Sequence, residues 1–166
     1  MTTLFRSGFK LALLAAAFSG TALLAPALAD DDEGGEGGIR AVANETVKAE
    51  CSACHMAYPP GLLPQRSWQA LMGNLSNHFG EDASLDEPVR KEIEDYLVAN
   101  AADAGGRAMR GLKADQTPLR ISELPWFTRE HGSKLIARAK SNPKIGSISN
   151  CAACHRGAEQ GYFEDD

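Results

Sequence analysis

Two copies of the pattern Cys-x-x-Cys-His contain all four cysteines of this 166-residue chain and two of its four histidines. The first copy, in ECSACHMAYPP, ends at His55, and the second, in NCAACHRGAEQGYFEDD, ends at His155. This is the attachment pattern of a c-type haem, in which two thiols bind the porphyrin vinyl groups and the histidine binds the iron. The sequence therefore predicts two covalently bound haems with His55 and His155 as axial iron ligands. The predicted attachment residues are Cys51, Cys54, Cys151 and Cys154.

Two other uses of paired cysteines compete with this interpretation. Disulfides are common in exported chains, but adjacent-pair disulfides would not require a histidine after each pair. With 4 histidines in 166 residues, two such coincidences are expected in fewer than about one sequence in a thousand. A zinc site would place its histidines well downstream of the cysteine pair. Both alternatives are weaker than covalent haem.

The motif supplies one iron ligand, so the opposite face of each haem needs another. Outside the motifs the chain has two histidines, His78 and His131. His78 follows His55 by 23 residues and His131 precedes His155 by 24, whereas the crossed pairing would span 76 and 77 residues. The sequence therefore predicts bis-histidine ligation of both haems, with His78 opposite His55 and His131 opposite His155.

Methionine is the other common distal ligand, and it would raise the reduction potential. Met56 adjoins a proximal histidine, and Met72 lies one position off an apolar helical stripe, where it suits the core. Met109 lies in polar sequence and stays open as a ligand. His78 lies on the apolar side of the same stripe, so a core histidine is the alternative interpretation there.

The segments that must position these residues follow helical patterns. We expect a short helix from Ile39 to Glu50 running into the first motif, where offsets of three and four would place its cysteines and histidine on one face. Further helices are predicted between Ser67 and Gly80, in DEPVRKEIEDYLVANAADAGG, and in ISELPWFTREHGSKLIARAK. A Pro-rich loop, the polar stretch 107–117 and the loop SNPKIGSIS separate them.

The start of the chain has the features of an export signal. Residues 1–29 combine a positive start, the apolar run LALLAAAFSGTALL and a small-residue cleavage site at Ala27-Leu28-Ala29. A membrane anchor is the alternative, but the run is short for a span. We expect removal after Ala29 and a periplasmic location. The polar stretch 30–38 predicts a disordered arm, and the boundary near Arg107 predicts two haem domains, residues 39–106 and 107–166.

The chain is acidic, with 22 acidic residues against 17 basic ones. Loss of Arg6 and Lys10 with the leader would leave 15 basic residues and a net charge of −7. That charge disfavours nucleic acid and anionic lipid as partners. It favours a redox partner with a basic docking face.

Four stretches resemble the exported dihaem cytochrome c family called DHC: CSACHMAYPPGLLPQRSW, the ending NHFG, LPWFTREHG and NCAACHRGAEQGYF. The resemblance implies a mostly α fold, with an N-terminal domain like a class I cytochrome c and a C-terminal domain that wraps its haem irregularly. It also implies an electron donor to a small oxygen-binding monohaem cytochrome of the SHP type, often beside a membrane cytochrome b. Carried over residue by residue, it implies Cys51, Cys54 and His55 with His78, and Cys151, Cys154 and His155 with His131.

The sequence therefore predicts a periplasmic electron-transfer protein and no enzyme, because an iron with two histidine ligands has no open position. The alternatives are a small dihaem peroxidase with one open iron and a dihaem subunit of a periplasmic reductase. Carbon monoxide binding to the reduced protein would identify the first alternative. Stable co-purification with a large catalytic chain would identify the second.

Overall fold

Four α-helices, joined by loops and short 3-10 turns, make up the part of the chain that this computed structural model describes, residues 39–104 and 106–163. They are α1 (Glu45–Cys51), α2 (Gln65–Met72), α3 (Glu87–Ala99) and α4 (Pro125–Ser141). Within these ranges no strand forms, and an isolated bridge pairs His78 with Glu81. The mostly α prediction is confirmed. The predicted signal peptide and arm lie outside the described residues.

Helices α1 and α3 begin at favourable residues and bury an apolar inner face; Asn44 caps α1, whereas Asp86 before α3 makes no capping hydrogen bond. The side chain of Asn44 accepts a hydrogen bond from the Val47 N–H at 2.8 Å, so α1 begins at Glu45 and not at Ile39 as expected. Pro88 lies in the first turn of α3, where a missing N–H costs nothing.

No helix in the described ranges is long and apolar enough to cross a membrane.

The helix expected from Ser67 to Gly80 is shorter and begins earlier. Helix α2 follows Pro64 directly, Ser67 is fully buried inside it, and Gly73 ends it. Glycine is a weak helix former, and Asn74 then takes a non-helical φ of −138°. The prediction that His78 lies on this helix is therefore wrong. His78 follows a 3-10 turn and opens a tight turn instead.

Helix α4 consists of two helical segments that meet at Gly132. This glycine has φ 60° and ψ 157°, a conformation that side chains rarely adopt. His131 is therefore the last residue of the first segment. The break lets the chain change direction directly after this histidine.

One hydrophobic cluster joins the two halves of the chain. Helix α3 packs against α1 and α2, and it contributes Ile93 and Leu97, which are almost fully buried. Leu124 and Phe127 from the second half belong to the same cluster. The described residues fall in one compact unit, 33–166. The division into two haem domains stays a prediction.

Candidate haem sites

The structure brings the four histidines together as two pairs. His55 of the first motif lies opposite His78, with ring centroids 6.2 Å apart and planes at 26°. His155 of the second motif lies opposite His131, with centroids 6.1 Å apart and planes at 87°. Each pair is the one that chain proximity favours, and all four rings are half-buried.

These distances can be compared with the space that an iron atom needs. A metal with one imidazole nitrogen on each side, at the usual bond length of about 2 Å, would hold the two ring centroids about 6 Å apart. Both pairs match this value. Two rings in direct stacking contact lie closer together, as Phe127 and His131 do at 3.9 Å. The spacing within each pair therefore fits an atom held between the rings.

One histidine of each pair is oriented by a backbone hydrogen bond. Nδ1 of His55 lies 2.7 Å from the carbonyl oxygen of Met56, and Nδ1 of His131 lies 3.0 Å from the carbonyl oxygen of Phe127. Because a carbonyl oxygen only accepts, Nδ1 must carry the hydrogen. Nε2 then keeps its lone pair, which is the arrangement that metal-binding histidines use.

The other histidine of each pair has a polar atom that the described residues leave unsatisfied. Nδ1 of His78 and Nδ1 of His155 are buried without a hydrogen-bond partner in that part of the chain. Buried polar atoms of this kind are rare in proteins. Both belong to the histidine pairs, and iron bound at Nε2 would leave Nδ1 free to donate; the fit of a haem at each site rests on the two imidazoles and their spacing.

A cavity of about 1430 Å³ contains the first pair. Its volume exceeds that of pockets for drug-sized ligands, which are roughly 300–1,000 Å³, so it can accommodate a macrocycle. Cys51, Cys54, His55 and His78 line it, and so does Cys151 of the second motif. His131 and His155 lie outside its lining. The rest of the wall is largely apolar, including Leu71, Met72, Leu75, Ile93 and Leu97.

The motif cysteines lie at helix ends and in turns, so the prediction that the first motif continues α1 is wrong. Helix α1 ends at Cys51, with Ser52 as its C-terminal cap, and the second motif begins with a 3-10 turn over Cys151–Ala153. Burial raises the pKa of the thiols of Cys51 and Cys151. These thiols are not the activated thiolates of a catalytic cysteine. Cys54 and Cys154 are exposed.

The environment of His78 favours a neutral imidazole. Its pKa is lowered first by burial, then by the nearby His55 and by the positive charge of Arg120. A neutral ring offers a lone pair to a metal ion, which a protonated ring cannot. The electrostatics around His78 are therefore compatible with iron binding.

Tyr58 connects the two sites and was not found from the sequence. Its ring stacks on His55, with centroids 4.8 Å apart and planes at 22°, and its hydroxyl donates to the carbonyl oxygen of Ser149 at 2.7 Å. Ser149 lies two residues before Cys151. One side chain therefore contacts a histidine of the first motif and the backbone that leads into the second. The separation of 91 residues left no local signal.

Replacing Tyr58 by phenylalanine tests this connection, because the ring stays and the hydroxyl bond is lost. We expect the free energy of unfolding to fall by roughly 1 kcal/mol at neutral pH, the usual contribution of one such bond. The spectrum of the His55 haem should be unchanged. The melting temperature of the intact protein is the measurement, and the exposed Tyr162, changed to phenylalanine, is the matched control.

The same variant has an expected pH dependence. Burial, followed by the charge of a Cys151 thiolate, raises the pKa of Tyr58 from 10 to about 12. The thiolate contribution disappears when Cys151 is a thioether, whereas burial remains. Because the unfolded phenol ionises first, the stabilisation is full below pH 10 and is lost as the pH rises through the folded pKa. Above pH 10 the free energy of unfolding should fall more steeply for the wild type than for Tyr58→Phe. Parallel curves of this free energy against pH would contradict the expectation.

One of the last described residues approaches the second histidine pair. Phe163 lies 5.8 Å from the ring of His155 and is half-buried, whereas Tyr162 is exposed. Met109, the alternative ligand, packs against the hydrophobic core and does not line the large cavity. The aromatic neighbours of the second pair are therefore Phe163 on one side and Phe127, stacked on His131, on the other.

Comparisons with known proteins identify the family. The family model for dihaem cytochrome c, DHC, matches residues 47–163. A solved structure of a diheme cytochrome c from Rhodobacter sphaeroides is 61% identical, has a TM-score of 0.69, and is matched over 75% of this chain and 99% of its own. Comparison with curated protein sequences finds no match.

Two further structures support the same assignment. DHC purified from Rhodobacter sphaeroides is 55% identical with a TM-score of 0.59, and the match covers 74% of this chain and 99% of that one. The diheme cytochrome type c from Shewanella baltica OS155 is 43% identical with a TM-score of 0.61, over 73% of this chain and 87% of that one. The motifs, the cavity and these matches together show that the chain belongs to the dihaem cytochrome c family and carries two covalently bound c-type haems.

Proposed function

We propose that this cytochrome transfers electrons through two bis-histidine haems, one between His55 and His78 and the other between His131 and His155. The observation that carries the proposal is the pairing of each motif histidine with a second histidine at 6.2 and 6.1 Å. The attachment residues would be Cys51 and Cys54 for the first haem and Cys151 and Cys154 for the second. The family is generally one of electron carriers, which agrees with this assignment.

A bound c-type haem supplies an iron that exchanges one electron between its ferric and ferrous states. The chain's residues hold each haem in place and restrict its chemistry. Two imidazoles per iron leave no position for a substrate, and the backbone acceptors at Met56 and Phe127 keep Nε2 of their histidines available for the iron. The apolar wall around the first pair limits access of water, which tunes the potential.

The partners and location belong to the same proposal. The acidic chain favours a partner with a basic docking face. The leader-like first 29 residues support export to the periplasm. We infer a membrane cytochrome b as the electron donor and a small oxygen-binding monohaem cytochrome as the acceptor, on the family resemblance of the sequence.

Carbon monoxide tests the central feature of this function. The reduced wild-type protein should keep its absorption spectrum under carbon monoxide, because both irons carry two protein ligands. Stepwise reduction should take up two electrons per protein, one for each haem. If carbon monoxide shifts the absorption spectrum of half of the haem, the peroxidase alternative is favoured, because it needs one open iron.

The two haems should also differ in their electron paramagnetic resonance. The rings of the first pair are nearly parallel, at 26°, and those of the second nearly perpendicular, at 87°. Perpendicular imidazoles leave two iron d orbitals close in energy, which makes a low-spin ferric signal strongly anisotropic. We expect one ordinary and one highly anisotropic low-spin signal from the oxidised protein. Two identical signals would contradict the ring geometry.

A further inference from the structure

One wall of the large cavity comes from the second half of the chain. Residues 119–123, which include a 3-10 turn at Ile121–Glu123, line it together with side chains of α4. Two basic residues are among the lining residues, Arg120 and Lys140. Lys140 is exposed near the end of α4. Arg120 contacts the ring of Phe79.

The guanidinium of Arg120 lies over the ring of Phe79. The guanidinium carbon is 3.8 Å from the centroid of the Phe79 ring, a cation–π contact. Phe79 itself has φ +58°, which is uncommon for a bulky residue and persists only where the surroundings impose it. Backbone hydrogen bonds between His78 and Glu81, at 2.8 and 3.2 Å, close the turn that holds it. The position of the Arg120 charge at the cavity is therefore set by the turn that carries His78.

The stacked guanidinium still has donors to offer. A guanidinium has five N–H donors, so contact with one aromatic ring leaves donors available. Its ion pair within the described residues joins Nε to Glu123 Oε1 at 3.9 Å, which is too long for a hydrogen bond. A half-exposed cation with unfilled donors at the wall of a largely apolar cavity is suited to an anion.

We propose that Arg120 binds a propionate carboxylate of the haem attached at Cys51 and Cys54. The inference rests on the proposed position of that haem between His55 and His78. A c-type haem carries two propionates, and a carboxylate in an apolar cavity requires a cation or strong hydrogen-bond donors. The planar guanidinium matches a carboxylate with two parallel N–H···O bonds. The second half of the chain thereby binds the first haem.

Loss of this charge should change the reduction potential of one haem. Ferric haem carries one more positive charge than ferrous haem, so a nearby cation favours the ferrous state. For Arg120→Gln we expect the ratio of ferrous to ferric first haem at the wild-type midpoint to fall about tenfold, which is about 59 mV for one electron. Arg120→Lys keeps the charge and should recover most of the potential. Both haems should stay covalently attached and low-spin.

The experiment is a redox titration of the intact dihaem protein, with Arg129→Gln as the matched control. Arg129 has a side-chain exposure of 56% against 44% for Arg120, pairs with Glu130 at a similarly long 3.8 Å, and does not line the cavity. His78→Met, which should raise the potential of the first haem, identifies that haem. The double variant carries both Arg120→Gln and His78→Met. In it, the potential that rises in His78→Met should be lower than in His78→Met alone.

Two results would overturn the inference. In the first, Arg120→Gln changes the reduction potential of the haem at Cys51 and Cys54 no more than Arg129→Gln does. The second is a shift in Arg120→Lys as large as the shift in Arg120→Gln, because the effect would then not come from the positive charge. A wild-type protein with a high-spin haem would instead overturn the proposed ligation. If the wild-type protein is low-spin and Arg120→Gln leaves the reduction potential unchanged, the role of Arg120 is overturned and the proposed ligation stands.

Discussion

Replacing His131 by alanine is expected to open one of the two haem irons, the one attached at Cys151 and Cys154. His131 lies 6.1 Å from His155 between ring centroids, and a bond to the Phe127 carbonyl orients it. Without this imidazole the iron has five ligands, so half of the haem should become high-spin and bind carbon monoxide. Both haems should stay covalently attached, because the thioethers do not depend on the distal side.

Added imidazole provides the control for this variant. Free imidazole should bind the iron that His131 leaves open and restore the low-spin spectrum, and an unchanged melting temperature would show that the second site is still folded. Ser133→Ala, two residues further along α4 at an exposed position, should behave as wild type. If His131→Ala keeps two low-spin haems and ignores carbon monoxide, His131 is a core or surface histidine. Met109 would then be the first residue to test.

Replacing His78 by methionine should raise the reduction potential of one haem and leave the other near its wild-type value. A thioether opposite an imidazole favours ferrous iron more than a second imidazole does. We expect a rise on the order of 100 mV, a modest part of the roughly 0.8 V over which axial ligands set haem potentials. A redox titration followed by absorption measures both haems.

Asn77→Met is the matched control, since it places the same thioether one residue earlier, at an exposed position. It should leave both potentials unchanged. Equal rises of both potentials in His78→Met would argue against the pairing of His78 with His55. An unchanged pair of potentials, with both haems low-spin, would mean that another residue covers the first iron.

The motifs and the two extra histidines could be identified from the sequence because haem attachment depends on local spacing. Cys51, Cys54 and His55 must be close in sequence to hold one haem. Each of the two irons needs a second ligand, and the chain has two histidines outside the motifs. The family resemblance supplied the fold class, which periodicity alone left as a set of helices.

Other parts of the sites depend on contacts that no spacing encodes. Tyr58 meets Ser149 across 91 residues, and Arg120 meets Phe79 across the polar stretch between the two halves. The path of the chain after Gly73 was also missed, because an apolar stripe at helical spacing continues through sequence that leaves the helix. Long-range contacts place Tyr58 and Arg120, whereas at Gly73 the cause is local, because glycine is a weak helix former.

The ligands of both irons can be measured together by near-infrared magnetic circular dichroism of the oxidised wild-type protein. The position of the low-spin ferric charge-transfer band depends on the two axial donor atoms of each haem. With His55 opposite His78 and His131 opposite His155, we expect a band at the bis-imidazole position with the intensity of two haems. A band at the imidazole–thioether position, or a high-spin band with the intensity of one haem, would contradict bis-histidine ligation at both sites.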